Sequence, residues 1–359
     1  MTGTAARIIQ GNALALPLFD ASVDLVVTSP PYFGLRSYQD GGEHYAGQIG
    51  SEATPAEFVD ALIAATREMV RVLKPSGSIW VNLGDKYSGG SSGDRNTGFN
   101  ERYGGSPGKK AQERSQTKGS AVAGMRPKTL IGIPWRYAIR CIDDLGLILR
   151  AEIIWSKPNG LPESVTDRVR RSHEQWFHFV KQPRYFSAVD EIREVYSDRV
   201  QDRQRYAGRD IPKGKWSEES GRNDGNGERG ILGFGHQGAN PLGKLPGSVW
   251  TVATQPLTVP AELGIDHFAA FPMEWPRRII QGWSPAGVCV LDPFGGTGTV
   301  ALMAKALGRI GISVDMSADY CRLATWRTTD PGQMAAALQV EKPEPISPDQ
   351  LDLFGEVVA

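Results

Sequence analysis

Val288-Cys289-Val290-Leu291-Asp292-Pro293-Phe294-Gly295-Gly296-Thr297-Gly298-Thr299 is the stretch on which the reading of the fold turns. Its first four residues are apolar and partly β-branched and the fifth is an acid, which predicts a buried strand. Glycines 295, 296 and 298 follow at once, a composition suited to backbone that must approach a ligand closely. Helical spacing from about Val300 to Leu307 and an apolar run over Arg309–Val314 then predict helix and strand. Gly296, Gly298 and Ala301 fit the loose glycine fingerprint of dinucleotide sites. Asp315 ends the next strand, where an acid can take both hydroxyls of a ribose. No Gly-Lys-Ser/Thr follows, so the turn is not a Walker phosphate loop. Alone, it fits a nicotinamide or flavin enzyme equally well, or a tight turn that simply needs small residues.

Working outward, a second strand is predicted at Val23–Thr28 and ends in Ser29-Pro30-Pro31-Tyr32, where two prolines forbid continuing the ladder. Thr54-Pro55-Ala56-Glu57 is a capping box with proline at the first helical position. Phe58, Leu62, Ala65, Met69, Val70 and Leu73 continue it at helical spacing until Lys74-Pro75-Ser76-Gly77, and Ser78–Leu83 is the next strand. Strand, helix, strand is the unit of a parallel sheet, so the expected fold is α/β with a doubly wound, mostly parallel sheet. Trp135–Leu145 reads as a further helix, and Leu147–Trp155 and Trp176–Val180 as strands. Trp80 and Trp135 read as core residues, and His173 and His178 as structural.

Thr28-Ser29-Pro30-Pro31-Tyr32 is the second chemical clue. Consecutive prolines hold the backbone extended and leave carbonyls without partners of their own. With the Ser29 oxygen and the Tyr32 ring, they suit a flat heterocycle carrying an exocyclic amine. The simpler reading is a proline-rich turn that caps a strand.

The chain has 359 residues, with 40 Lys+Arg against 40 Asp+Glu, so bulk charge does not drive it to nucleic acid, although a local basic cleft can. Its three Cys form no C-x-x-C pair, which points to no metal, no disulfide framework and a reducing cytoplasm. No apolar run of membrane-spanning length and no signal peptide are present, so no membrane partner is expected. Residues 1–190 are expected to form one half of the main domain, and residues 248–330 the cofactor-binding half. Within the first, 86–128 is glycine-rich and carries nine Lys/Arg against three Asp/Glu, the pattern of a mobile loop that orders on phosphates. Residues 191–247 read as an inserted segment, and 331–359, with four prolines and a net charge of −4, as a flexible acidic tail.

Taken jointly, the two clues resemble the DNA amino-methyltransferases, which use S-adenosylmethionine to methylate N4 of cytosine or N6 of adenine in double-stranded DNA. Thr28-Ser29-Pro30-Pro31-Tyr32 is similar to their catalytic motif, and Asp292 to Thr299 to their cofactor motif. Asp315-Met316-Ser317-Ala318-Asp319-Tyr320 resembles their ribose-binding motif, and His267-Phe268-Ala269-Ala270-Phe271-Pro272-Met273 the segment at the methionine end of the cofactor. The resemblance covers roughly residues 7–330, in the permuted β-group order, catalytic motif first. It implies a Rossmann-like methyltransferase fold with 191–247 as target-recognition region. It implies Ser29, Pro30, Pro31 and Tyr32 as catalytic residues. It implies Thr28, Phe271, Pro272, Asp292, Pro293, Phe294, Gly295, Gly296, Thr297, Gly298 and Asp315 as cofactor residues, with Gly298 meeting the methionine moiety. Lys157, Arg168, Arg170 and Arg171 resemble family segments near DNA and are expected phosphate contacts.

Family members often show Gly-Asp near the start, where this chain has Gly11-Asn12. Serine before the two prolines favours cytosine N4; adenine N6 is the alternative, since both amines offer the same two donors. No cysteine follows a proline, which disfavours cytosine C5 chemistry. A dinucleotide-binding oxidoreductase is the more distant alternative. The family implies a bacterial or phage-encoded, nucleoid-associated enzyme of a restriction–modification system. Gln350-Leu351-Asp352-Leu353-Phe354 resembles the peptide by which replication and repair proteins dock on the bacterial sliding clamp. That implies clamp contacts from Gln350, Leu351, Leu353 and Phe354; packing of the apolar three onto the core is the alternative.

Overall fold

A computed structural model describes residues 4–34, 39–40, 43–44, 48–89, 122, 124–160, 162–196, 240–265 and 271–341. In chain order its strands are β1 (Ala5–Gln10), β2 (Val23–Thr28), β3 (Gln39–Asp40), β4 (Glu43–His44), β5 (Leu73–Leu83), β6 (Ile148–Ser156), β7 (His173–Val180), β8 (Val249–Thr251), β9 (Cys289–Asp292) and β10 (Ile310–Asp315). Its helices are α1 (Pro55–Val72), α2 (Ile133–Asp143), α3 (Glu274–Trp283), α4 (Thr299–Ala306), α5 (Ala318–Thr329) and α6 (Pro331–Leu338).

Eight strands form one sheet in the order β1-β10-β9-β2-β5-β7-β6-β8. All neighbours run parallel except β7, which is antiparallel to both β5 and β6. Connections from β2 and β9, which lie side by side, lead to opposite sides: β2 through α1 to β5, and β9 through α4 to β10. Outward winding from two adjacent strands opens a crevice at their carboxyl ends. Ser29-Pro30-Pro31-Tyr32 and the glycine turn both begin there.

Alternation along the strands divides the core. Ile79, Val81 and Leu83 of β5 and Phe177 and Phe179 of β7 pack with Phe58, Leu62, Met69 and Tyr137 from α1 and α2. On the other face Trp80 stacks on His178 at 4.4 Å, Trp176 on Trp275 at 5.0 Å, and Trp250 on Trp275 at 5.0 Å. Burial pushes the His178 imidazole down to about 3, so it packs as a neutral ring bonded to Ser78 Oγ (3.0 Å). Large rings buried against α3 supply much of the hydrophobic stabilisation of this layer.

The α1 capping box forms as read, with Thr54 Oγ1 accepting from the Glu57 N–H and Glu57 Oε2 from the Thr54 N–H. Several readings need correction. Lys74-Pro75-Ser76-Gly77 does not separate helix from strand but lies inside β5, where Val23 pairs with Leu73 and Leu25 with Ser78. Proline is tolerated because this is a bulge. Trp135 is not fully core: it is 43% exposed, with its ring edge-on to the buried Phe177 at 5.4 Å. The strand β1 has no sequence counterpart above, because Arg7 interrupts a short, half-exposed edge strand. The acidic segment 331–359 does not begin as flexible chain. Asp330 caps α6, its side chain accepting from the Gln333 N–H (2.8 Å), and Ala335 and Ala337 are buried. The proposed clamp peptide, residues 350–354, and most of the 86–128 loop lie outside the described residues.

Residues 188–247 form a second unit. Among its described residues Glu194 and Lys244 exchange backbone hydrogen bonds at 2.9 Å. Among the described residues, no helix is long and apolar enough to cross a membrane.

Candidate active site

The crevice at the ends of β2 and β9 is a cavity of about 620 Å³. Of the expected cofactor residues, Phe271, Pro293, Phe294, Gly295, Gly296, Thr297 and Asp315 line it, and so do Ser29, Pro30, Pro31 and Tyr32. Thr28, Pro272, Asp292 and Gly298 do not.

Thr28, Asp292 and Gly298 support the wall from behind, while the Pro272 carbonyl accepts the Trp275 N–H at the start of α3. Thr28 Oγ1 donates to Asp292 Oδ1 at 2.6 Å, and that oxygen also accepts the Phe294 N–H at 3.1 Å. One bond therefore ties the end of β2 to the end of β9. Gly298 has φ +74°, and a Cβ there would sit 2.8 Å from Ala324 Cβ of α5. Its smallness serves helix packing and a left-handed turn. Gly295 is tighter still, since a Cβ would lie 1.8 Å from Ser313 Oγ. Asp315 bridges the turn, Oδ2 accepting from Gly296 N–H (2.8 Å) and Oδ1 from Ser317 N–H (2.9 Å).

Burial pushes Asp292 up to about 7, against the pull of the Thr28 and Phe294 donors and with a further push from Asp315. The sign follows from linkage. Between the ordinary carboxylate range and about pH 7 the folded chain holds a proton that the unfolded chain has released, so stability falls as pH rises through this window. We expect Asp292→Asn to flatten that slope. Urea unfolding at pH 5 and pH 8 checks it, and equal losses in wild type and variant would contradict it.

The catalytic motif sits in a network that the sequence reading did not anticipate. Asn82 Nδ2 donates to the Gln175 carbonyl (3.1 Å), which turns Oδ1 toward Ser29. Ser29 Oγ then donates to Asn82 Oδ1 at 3.1 Å. The Tyr32 hydroxyl has two acceptors in reach, Asn82 Oδ1 (2.7 Å) and Glu174 Oε2 (2.8 Å). Glu174 pairs with Lys157, whose ammonium lies 4.1 Å from the Trp155 ring centroid. Gly84 leaves room for the Tyr32 ring: a Cβ there would be 2.6 Å from Tyr32 Cε2. A polar residue within the buried run Ser78–Leu83 was the available signal for Asn82; nothing local marked Glu174 or Gly84.

The expected DNA contacts separate. Lys157 lines the cavity and is committed to Glu174. Arg171 is largely buried, donating to Gln175 Oε1 (3.0 Å) and lying 4.0 Å from Asp85. Arg168 packs on the Tyr87 ring (3.8 Å) and pairs with Glu163 (2.7 Å). Arg170 is exposed and donates to the Gly160 carbonyl at 3.3 Å. Among the described residues no cluster of His, Cys, Asp or Glu could hold a metal ion.

Known proteins share this architecture and sequence. Type II methyltransferase M.XycI of Xanthomonas campestris pv. cyanopsidis is 35% identical over 325 residues, covering 90% of this chain and 87% of its own. M.Cfr9I of Citrobacter freundii is 33% identical over 325 residues, with the same coverage of 90% and 87%. The solved structure titled PvuII DNA methyltransferase (cytosine-N4-specific) matches with TM-score 0.58 over 94% of each chain at 19% identity, a likeness of fold. The family described as DNA methylase matches residues 23–325, so the chain belongs to that family and is an S-adenosylmethionine-dependent DNA amino-methyltransferase.

Proposed function

We propose that the chain methylates N4 of a cytosine flipped out of double-stranded DNA, with S-adenosylmethionine held on the glycine-turn side of the cavity. The observation that carries this reading is the juxtaposition of Ser29, Pro30 and Tyr32 with the turn and Asp315 on the walls of one cavity. Its volume lies within the roughly 300–1,000 Å³ usual for sites that enclose small ligands and cofactors. At Gly296 a Cβ would meet nothing nearer than 3.9 Å, so the turn leaves open space there. A carboxylate has about four acceptor positions, so Asp315 can brace the turn and still receive ribose hydroxyls.

When bound, S-adenosylmethionine supplies an electrophilic methyl group on a positively charged sulfur. The exocyclic amine is a weak nucleophile because its lone pair is delocalised into the ring. Ser29 gives its only proton to Asn82 and so meets the amine as an acceptor. Together with the Pro30 carbonyl it takes both N–H groups, which localises the nitrogen lone pair. Tyr32 offers a stacking surface worth about 1–3 kcal/mol against the cost of flipping the base. After transfer the methylated nitrogen releases to water one of the two protons held by Ser29 and Pro30, while Glu174 stays paired with Lys157 and Tyr32. Serine before the prolines supports cytosine over adenine. The type II names of the relatives support a place in restriction–modification, in the cytoplasm at the nucleoid.

Residues 191–247 are assigned to target recognition, and the basic 86–128 segment to phosphates. The Gln350–Phe354 peptide is assigned to sliding-clamp docking, which a titration with the clamp against Leu353→Ala/Phe354→Ala tests. Arg170 is the phosphate contact to test first. Arg170→Ala should weaken binding uniformly across DNA sequences and reduce the slope of log affinity on log salt by about 1. An unchanged slope would remove Arg170 from the interface. A filter-bound assay with labelled methyl donor and duplex DNA tests the activity itself, and no transfer by the wild-type chain would refute it.

A further inference from the structure

Arg327 of α5 is 3% exposed and lies directly behind the glycine turn. One of its terminal nitrogens donates to both Thr297 Oγ1 and Thr299 Oγ1 at 2.7 Å. Among the described residues it has no carboxylate partner, and its Nε has no hydrogen-bond partner at all. Burial alone pushes the guanidinium down to about 10. A buried cation without a counter-ion is costly, and one placed behind a ligand cavity suits an anion that arrives with the ligand.

The two threonines connect it to that cavity, because both line it. Each hydroxyl has one proton and two lone pairs. Arg327 occupies a lone pair on each. The two oxygens are 3.2 Å apart, so one hydroxyl donates to the other. The proton of the second hydroxyl has no acceptor within the triad. It is polarised by the guanidinium and available to an acceptor in the cavity, as a charge-assisted donor.

We propose that Arg327 is a positioning residue for the carboxylate at the amino-acid end of the cofactor, acting through Thr297 and Thr299. This rests on the reading of the cavity as the S-adenosylmethionine site and adds the buried residue that orients the two hydroxyls toward the carboxylate. Arg327 itself touches no ligand: it fixes the hydroxyl orientations and supplies the positive field. Ala324, one turn earlier on α5, packs against Gly298 and keeps the helix at the fixed distance this relay needs.

The test uses two ligands that differ only in the carboxylate, S-adenosylmethionine and decarboxylated S-adenosylmethionine, titrated calorimetrically into the full chain without DNA. The wild type should prefer the carboxylate-bearing ligand by 10-fold or more. Arg327→Met and the double variant Thr297→Val/Thr299→Val should lose most of that preference, weakening the carboxylate-bearing ligand at least several-fold more than the decarboxylated one. Arg327→Lys should keep part of it. The threonine pair reports the same relay with the arginine in place, should Arg327→Met fail to fold. Equal weakening of both ligands would assign Arg327 a structural role only and overturn the proposal. A wild type that binds both ligands alike would overturn it while leaving the cofactor site standing. A wild type that binds neither would overturn the cofactor reading as well.

Discussion

Gly295→Ala is expected to abolish measurable S-adenosylmethionine binding and to lower thermal stability. The added Cβ would lie 1.8 Å from Ser313 Oγ and 3.0 Å from Ser313 Cβ, so the turn and β10 cannot stay at their present distance. Overpacking of this kind costs about 1–3 kcal/mol, or roughly 2–4 °C per kcal/mol in a domain of 150–250 residues and less in a longer chain. Binding suffers more than stability, because the displaced segment carries Gly296, whose N–H is bonded to Asp315. Ser313→Gly removes the colliding side chain and should restore binding in the double variant. Thermal melts and calorimetric titrations of the two variants check this. A single variant with wild-type affinity, or a double variant without recovery, would show that the close approach of β9 and β10 does not shape the site.

Tyr32→Ala should separate base handling from cofactor handling. It removes the stacking ring, and by the stacking magnitudes above turnover falls about 10–100-fold. The Thr28–Asp292 bond and the Asp315 bridge are left intact, so S-adenosylmethionine affinity changes less than about three-fold. Gly84→Ala should copy this effect from the opposite direction, since its Cβ occupies the space of the ring. Pre-steady-state methyl transfer with parallel cofactor titrations measures both quantities. Loss of cofactor affinity with normal turnover at saturation would reverse the assigned roles.

Both halves of the site were legible in the sequence because each is encoded locally. A buried strand that stops at two prolines, and another that stops at Asp292 before glycines, each announce a strand end with exposed backbone. That β2 and β9 are neighbours was not local information: it depends on pairing across more than 260 residues, as the Thr28–Asp292 bond records. The roles of individual glycines were also hidden. Gly298 reads like a ligand contact, yet its missing Cβ makes room for Ala324, a residue of the following helix. Charge was the weakest guide. Lys157, Arg168 and Arg171 look alike on paper, but each is engaged by a group that only the fold brings near: Glu174, Tyr87 and Asp85. The tail misled through its prolines and net charge. Its first eight residues, Pro331–Leu338, are instead an alanine-rich helix capped by Asp330.

Ser29, Pro30 and Tyr32 are proposed to present the exocyclic amine of cytosine to the methyl donor. The most direct measurement is digestion of duplex DNA, methylated by the purified chain with isotope-labelled S-adenosylmethionine, and mass spectrometry of the released nucleosides. Label is expected in N4-methyldeoxycytidine, lost in parallel by Ser29→Ala and Tyr32→Ala. Label in N6-methyldeoxyadenosine would contradict the assignment to cytosine, and label in 5-methyldeoxycytidine, or in no nucleoside, would contradict the mechanism.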